Sequence, residues 1–163
     1  MLSVVRKAFG EDEVATLVSD LVDDSSARPL LSLLAWDGER PIGHIMFTAA
    51  RLQGASRDAV VSILAPLAVV PDAQRKGVGG SLIARGVERL CVTGVDLVFV
   101  LGHPEYYPRH GFAPARAEGL AAPYPISPEE AWMVRELRQG ILGSVQGTVI
   151  CAKAMNKPEY WRE

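Results

Sequence analysis

Between Val60 and Leu101 the chain passes through a β-branched and aliphatic run broken by Pro66, a loop Gln74-Arg75-Lys76-Gly77-Val78-Gly79-Gly80, an amphipathic segment, and a second apolar run from Val95 to Leu101. Few architectures accept this order. In the amphipathic segment Ile83, Val87, Leu90 and Cys91 recur at helical spacing on one face, while Arg85, Glu88 and Arg89 point away and Gly94 ends the pattern. A helix between two apolar strands makes them parallel neighbours, joined by a right-handed crossover. Pro66 removes one ladder donor, so the strand that carries it should bulge, splay or lie at an edge there.

The flanks fit around this unit. From Glu11 to Asp23, Val14, Leu17, Val18, Leu21 and Val22 predict one apolar helix face, with acidic residues at its start suiting the helix dipole. Leu30 to Ala35 and Ile42 to Arg51 read as a hairpin turning at Asp37-Gly38. Ala131 to Leu137 and Gly147 to Met155 are weaker extended segments. Pro128 to Arg138 also admits a helix, since Glu129 and Glu130 suit a first turn.

With 163 residues and 48% hydrophobic content, the chain matches one domain spanning residues 1–163 and is too apolar for intrinsic disorder. A formal net charge of −2 provides no global attraction to nucleic acid or anionic lipid, so neither is expected as a partner. No uncharged stretch is long enough for a membrane-spanning helix, and the charged start Met1 to Lys7 lacks the apolar core of a secretion signal. Cys91 and Cys151 form no C-x-x-C pair and lack histidines at zinc spacing, so no metal is expected and the cytosol is the expected compartment. Cys91, on the apolar helix face, reads as a buried inert thiol.

Unpaired backbone N–H groups at a helix start, with glycines admitting a close ligand, form an anion site, and Gln74 to Ser81 has that arrangement after a strand. Arg75 and Lys76 add charge-assisted contacts to a phosphate. A P-loop requires its Lys after the glycines, whereas Lys76 precedes them. A dinucleotide fingerprint requires a glycine where Leu82 stands. What remains is Gln-x-x-Gly-x-Gly, closing a bulged strand and opening a helix.

In this constellation the chain resembles the GNAT superfamily of N-acetyltransferases, whose acetyl-CoA motif runs from an aliphatic strand, here Leu67-Ala68-Val69-Val70-Pro71, through Gln74 to Gly80 into a helix. Tyr107-Pro108-Arg109-His110-Gly111-Phe112 is similar to the family's Tyr-x-x-x-Gly-Phe, and Leu101 to Tyr106 resembles the YhbS-like bacterial subgroup. The resemblance covers roughly Leu30 to Met155. It implies an α+β fold of α/β/α layers with a mixed, splayed sheet. Ser3 to Phe9 resembles the end of the family's first helix, so the first edge strand is read as absent and Leu30 to Ala35 as an edge needing cover from a loop or a second copy.

The resemblance also implies a chemistry: transfer of an acetyl group from acetyl-CoA to a primary amine of a small molecule or peptide, in a ternary complex and without a metal. Leu67, Ala68 and Val69 become the edge on which the pantetheine arm lies, an N–H of Ala68 or Val69 polarises the thioester carbonyl, and Gln74, Arg75, Lys76, Gly77, Val78, Gly79, Gly80 and Ser81 hold the diphosphate. Tyr107 is implied to face the thioester sulfur. A phenol's ordinary pKa of about 10 exceeds a thiol's of about 8.5, so a hydrogen bond is expected there, with full proton transfer optional. A core tyrosine is the plain alternative. Many relatives carry a glutamate early on the splayed strand, but Ser62 to Pro66 has none; His44, His103 and Glu105 are candidates for the base, and none is assigned that role. A non-catalytic acyl-CoA-binding module and a nucleotide-phosphate binder are the competing readings.

Overall fold

The computed structural model describes residues 1–10 and 12–162. Two helices, α1 (Leu2–Phe9) and α2 (Asp12–Asp23), precede the strands β1 (Leu31–Asp37), β2 (Arg40–Gln53) and β3 (Val61–Val69). Helix α3 (Val78–Val92) and strand β4 (Leu97–Leu101) follow, and β5 (Ala113–Pro114), β6 (Leu120–Ala121), β7 (Trp132–Glu136) and β8 (Gly147–Ile150) complete the sheet. Gly10, at φ +67°, closes α1 by donating its N–H to the Arg6 carbonyl at 2.8 Å. The expected start of the next helix at Glu11 lies outside the described residues. From Asp12 onward Leu17, Val18 and Leu21 are buried as predicted, whereas Val22 is exposed.

The strand order β5-β7-β4-β3-β2-β8-β6 mixes parallel and antiparallel neighbours. Strand β2 is long enough to serve two partners: Arg40 to Phe47 pairs with β1, and Arg51 to Gln53 pairs with β8. Strands β3 and β4 are parallel, as the intervening helix required, but only from Val61/Leu97 to Leu64/Val100. Beyond Leu64 they part. Against β2 the register shifts at the same place, since Ile45 opposes Leu67 while Phe47 opposes Leu64. The extra residue in β3 is accommodated at Ala65-Pro66, a bulge where the missing N–H is tolerated.

Successive residues of the central strands feed opposite cores. Met46, Ile63 and Phe99 face the layer of α1 and α2, and Ile45, Phe47, Leu64, Val98 and Val100 face α3. Burial on both faces explains why these strands read as continuous apolar runs. Helix α3 presents Leu82, Ile83, Gly86, Val87 and Leu90 to the sheet, and Cys91 falls on its exposed side. The buried thiol expected there is corrected: the buried stripe runs through Leu82 and Gly86 and leaves Cys91 outside.

Gly86 is a contact residue, because a methyl group added there would overlap the Phe47 ring. Gly86→Ala is expected to destabilise the fold by about 1–2 kcal/mol, overpacking of about 1–3 kcal/mol exceeding the helix-propensity gain of at most about 1 kcal/mol. Urea unfolding of the two proteins measures this, and an unchanged or raised midpoint would show that Phe47 moves aside freely.

Elsewhere the sheet settles the open alternatives. Trp132–Glu136 is a strand antiparallel to β4, and the helical option for Pro128 to Arg138 shrinks to a single 3₁₀ turn at Glu129–Ala131. The extended segment from Gly147 ends at Ile150, with a 3₁₀ turn at Lys153–Met155. Among the described residues no strand or bridge pairs with the outer edge of β1, and Trp36 beside it is exposed. No described helix is long and apolar enough to cross a membrane.

Candidate active site

The parting of β3 from β4 opens a groove of about 1200 Å³. One wall is the free half of β3, and its hydrogen-bonding pattern follows from a single contact. Val70 donates its N–H to Ile42 at 2.9 Å, and two residues back Ala68 opposes His44. In an antiparallel ladder every second pair exchanges backbone bonds, so the Ala68 amide is turned to β2 while those of Leu67 and Val69 are turned to the groove. The Val69 carbonyl on that free edge accepts a 3.0 Å bond from Gln74 Nε2. The glutamine of Gln-x-x-Gly-x-Gly therefore ties the loop to the splayed strand.

The floor is the start of α3. Arg75, at φ +62°, is the only non-glycine residue in the left-handed region among the described residues, and Gly77, at φ +84°, is the N-cap. These two turns lead the loop into the helix. The first helical bond runs from the Ser81 N–H to the Gly77 carbonyl at 3.0 Å, so the amides of Val78, Gly79 and Gly80 precede it and have no helical acceptor.

The facing wall carries Tyr107, which opens a 3₁₀ turn (Tyr107–His110) closed by Gly111 at φ +88°. The reversal at Gly111 brings Phe112 back edge-on to Tyr107, ring centroids 5.7 Å apart, which is the structural content of Tyr-x-x-x-Gly-Phe. Tyr107 is buried, and its ring lies so close to Gly102 that any side chain there would collide. Tyr106 stands beside it, edge-on at 5.1 Å.

A sequence model of the acetyltransferase (GNAT) family matches residues 3–113. The chain belongs to this family. It is 48% identical to an uncharacterised N-acetyltransferase of Escherichia coli K12, YjhQ, over 153 residues, which cover 91% of this chain and 83% of that one. The crystal structure of the GNAT family N-acetyltransferase YhbS from Escherichia coli in complex with CoA superposes with a TM-score of 0.86 at 32% identity, covering 95% of this chain and 84% of that one. A Brucella melitensis GNAT acetyltransferase in complex with acetyl-CoA shares the fold, with a TM-score of 0.72 at 24% identity over 94% of this chain and 88% of that one. The α+β fold with its mixed, curled sheet is thus the GNAT fold.

Within this GNAT chain the residues singled out from sequence divide into three groups. Leu67, Val69, Gln74, Arg75, Gly77, Val78, Gly79, Gly80 and Tyr107 line the groove. Lys76 and Ser81 line a second cleft of about 500 Å³ between β1 and α3. Ala68 lines neither, its side chain being buried in the α1/α2 layer. Of the candidate bases, His103 lines the groove and Glu105 does not. His44 is walled off, 0% exposed on the α1/α2 side of the sheet, with Nε2 2.8 Å from Ser32 Oγ and Nδ1 lacking any partner among the described residues. Burial lowers its pKa to about 4.

Tyr106, Glu13 and Glu159 also line the groove. Tyr106 lies one position outside the matched motif. Glu13 was legible only as a first-turn acid suiting the helix dipole, and no pattern in the C-terminal segment marks Glu159. Among the described residues no group of three His, Cys, Asp or Glu side chains is placed to hold a metal.

Proposed function

We propose that the protein is an acetyl-CoA-dependent N-acetyltransferase that passes the acetyl group directly to a primary amine of a small molecule or peptide, with both substrates bound together. The observation carrying this reading is the unpaired inner edge of β3, with the Leu67 and Val69 amides aimed into a groove that ends on the free amides at the start of α3. An extended arm with amide groups fits the edge, and a diphosphate fits the helix start. Acetyl-CoA supplies an activated acetyl thioester.

The chain supplies the polarisation and the positioning. Of the two amides expected to polarise the thioester carbonyl, Ala68 is committed to β2, so Val69 keeps the assignment and Leu67 joins it. Tyr107 donates a hydrogen bond towards the thioester sulfur. Gln74 holds the loop against β3, and Arg75, Gly77, Val78, Gly79 and Gly80 form the diphosphate cradle. The groove is also lined by Phe9 and Tyr160, which provide apolar surface, by the carboxylates of Glu13 and Glu159, and by Arg162. This lining favours an acceptor that arrives as an ammonium ion on an apolar body. With no side chain assigned as base, the proton shed before attack leaves through water at the open groove.

The test combines calorimetric titration of CoA and acetyl-CoA with thiol-release assays across amines and N-terminal peptides. Binding of both with release for at least one amine is the expected result. Binding without release across the whole panel would leave a non-catalytic acyl-CoA module, and protection by ATP or NAD in place of CoA would overturn both readings.

A further inference from the structure

The two glycines in the first turn of α3 are there for more than a ligand's approach. A Cβ built on Gly79 would stand 2.5 Å from the Tyr106 hydroxyl oxygen, and one on Gly80 would stand 3.0 Å from His110 Cε1. Side chains from the turn after β4 therefore reach across the groove and occupy the space above the loop. Tyr106 is held from several sides: edge-on by Tyr107, by the His110 ring at 4.8 Å, and by the Arg109 guanidinium 5.9 Å from its ring centroid.

Its hydroxyl, by contrast, makes no hydrogen bond among the described residues. Helical Cβ atoms tilt towards the N-terminus, so an oxygen in front of the Gly79 Cβ position lies on the side where the amides of Val78, Gly79 and Gly80 are free. The next nearest group to that position is a Leu67 methyl at 3.6 Å, so the hydroxyl and the open strand both border the first turn of the helix. Burial raises the pKa of this phenol, so it keeps its proton and acts as a donor.

We propose that Tyr106 is a positioning residue for the cofactor, its O–H donating to a phosphate oxygen of the CoA diphosphate held at the first turn of α3. This rests on the acetyl-CoA reading above. It divides labour between adjacent tyrosines: Tyr106 serves the anionic end of the cofactor and Tyr107 the thioester end. The aromatic contacts explain why the phenol is already aimed before any ligand binds, which lowers the ordering cost of binding.

The experiment is calorimetric titration of CoA and, separately, of inorganic diphosphate into the parent protein and Tyr106→Phe. The substitution keeps the ring and its packing, so the thermal midpoint of the ligand-free protein should not change. Loss of a hydrogen bond to a charged acceptor should weaken CoA binding about tenfold or more, and diphosphate by a similar factor. Equal CoA affinity in the two proteins would overturn the proposal. So would weaker CoA binding with unchanged diphosphate binding, which would place the contact elsewhere on the cofactor. Failure of the parent protein to bind CoA would instead remove the acetyl-CoA reading and this proposal with it, a result distinct from normal binding that the substitution leaves untouched.

Discussion

Tyr107→Phe is expected to lower thiol release from acetyl-CoA by about 100-fold at saturating substrates while leaving CoA affinity within about twofold of the parent. The substitution keeps the packing of the ring. Tyr107 is clamped by Gly102, by Phe112 and by Tyr106, all ring contacts that phenylalanine retains. What changes is the O–H, which the proposed mechanism uses as negative charge develops on the departing sulfur. An interaction made mainly in the transition state appears in kcat and not in cofactor binding. The measurement is a pair of kinetic constants, with Tyr106→Phe run beside it. The two variants should be mirror images, Tyr106→Phe raising the KM for acetyl-CoA and Tyr107→Phe lowering kcat. Unchanged kcat in Tyr107→Phe would remove Tyr107 from the chemistry and leave it as a core tyrosine.

Acid should unfold this protein earlier than its carboxylates alone require, because of His44. On β2, flanked by β1 and β3, its side chain is fully buried, its Nδ1 has no partner among the described residues, and burial, with a further contribution from the N-terminal ammonium, lowers its pKa from 6.5 to about 4. The folded state thus binds its proton less readily than the unfolded chain. The associated stability is fully present above pH 6.5 and is lost as pH falls from 6.5 towards 4, where the loss approaches about 3 kcal/mol. That is a large share of a typical domain's stability. Urea unfolding at pH 7 and pH 4.5, for the parent and for His44→Gln, isolates the contribution. The parent should lose more stability than the variant over this interval, by between about 2 and 3 kcal/mol. Parallel losses would show that His44 is not the titrating group.

The same residue shows where sequence reasoning stops. His44 is a candidate base from sequence because a histidine on a strand next to the motif has the right chemistry. What excludes it is the face on which it falls, and that depends on register. Alternation places Ile45 and Phe47 on the α3 side and His44 and Met46 on the other, but which face adjoins the groove is known only once β3 has paired. Ala68 and Val69 pose the same problem in the plane of the sheet. As neighbours in an aliphatic run they are indistinguishable by type, and only the Val70 to Ile42 bond decides which amide is free.

What the chain determined by itself is local. The glycines, the helical spacing of Ile83, Val87 and Leu90, the proline in β3 and the Tyr-x-x-x-Gly-Phe turn each act within a few residues, so the β-loop-helix-β unit and its bulge could be read directly. Tertiary structure decided whatever depends on surfaces meeting from distant parts of the chain: the exposure of Cys91, the turning of Lys76 and Ser81 to a second cleft, the arrival of Glu13 and Glu159 at the groove, and the reach of Tyr106 to Gly79. Those contacts arise from packing layers together, and no short-range pattern encodes a neighbour dozens of residues away.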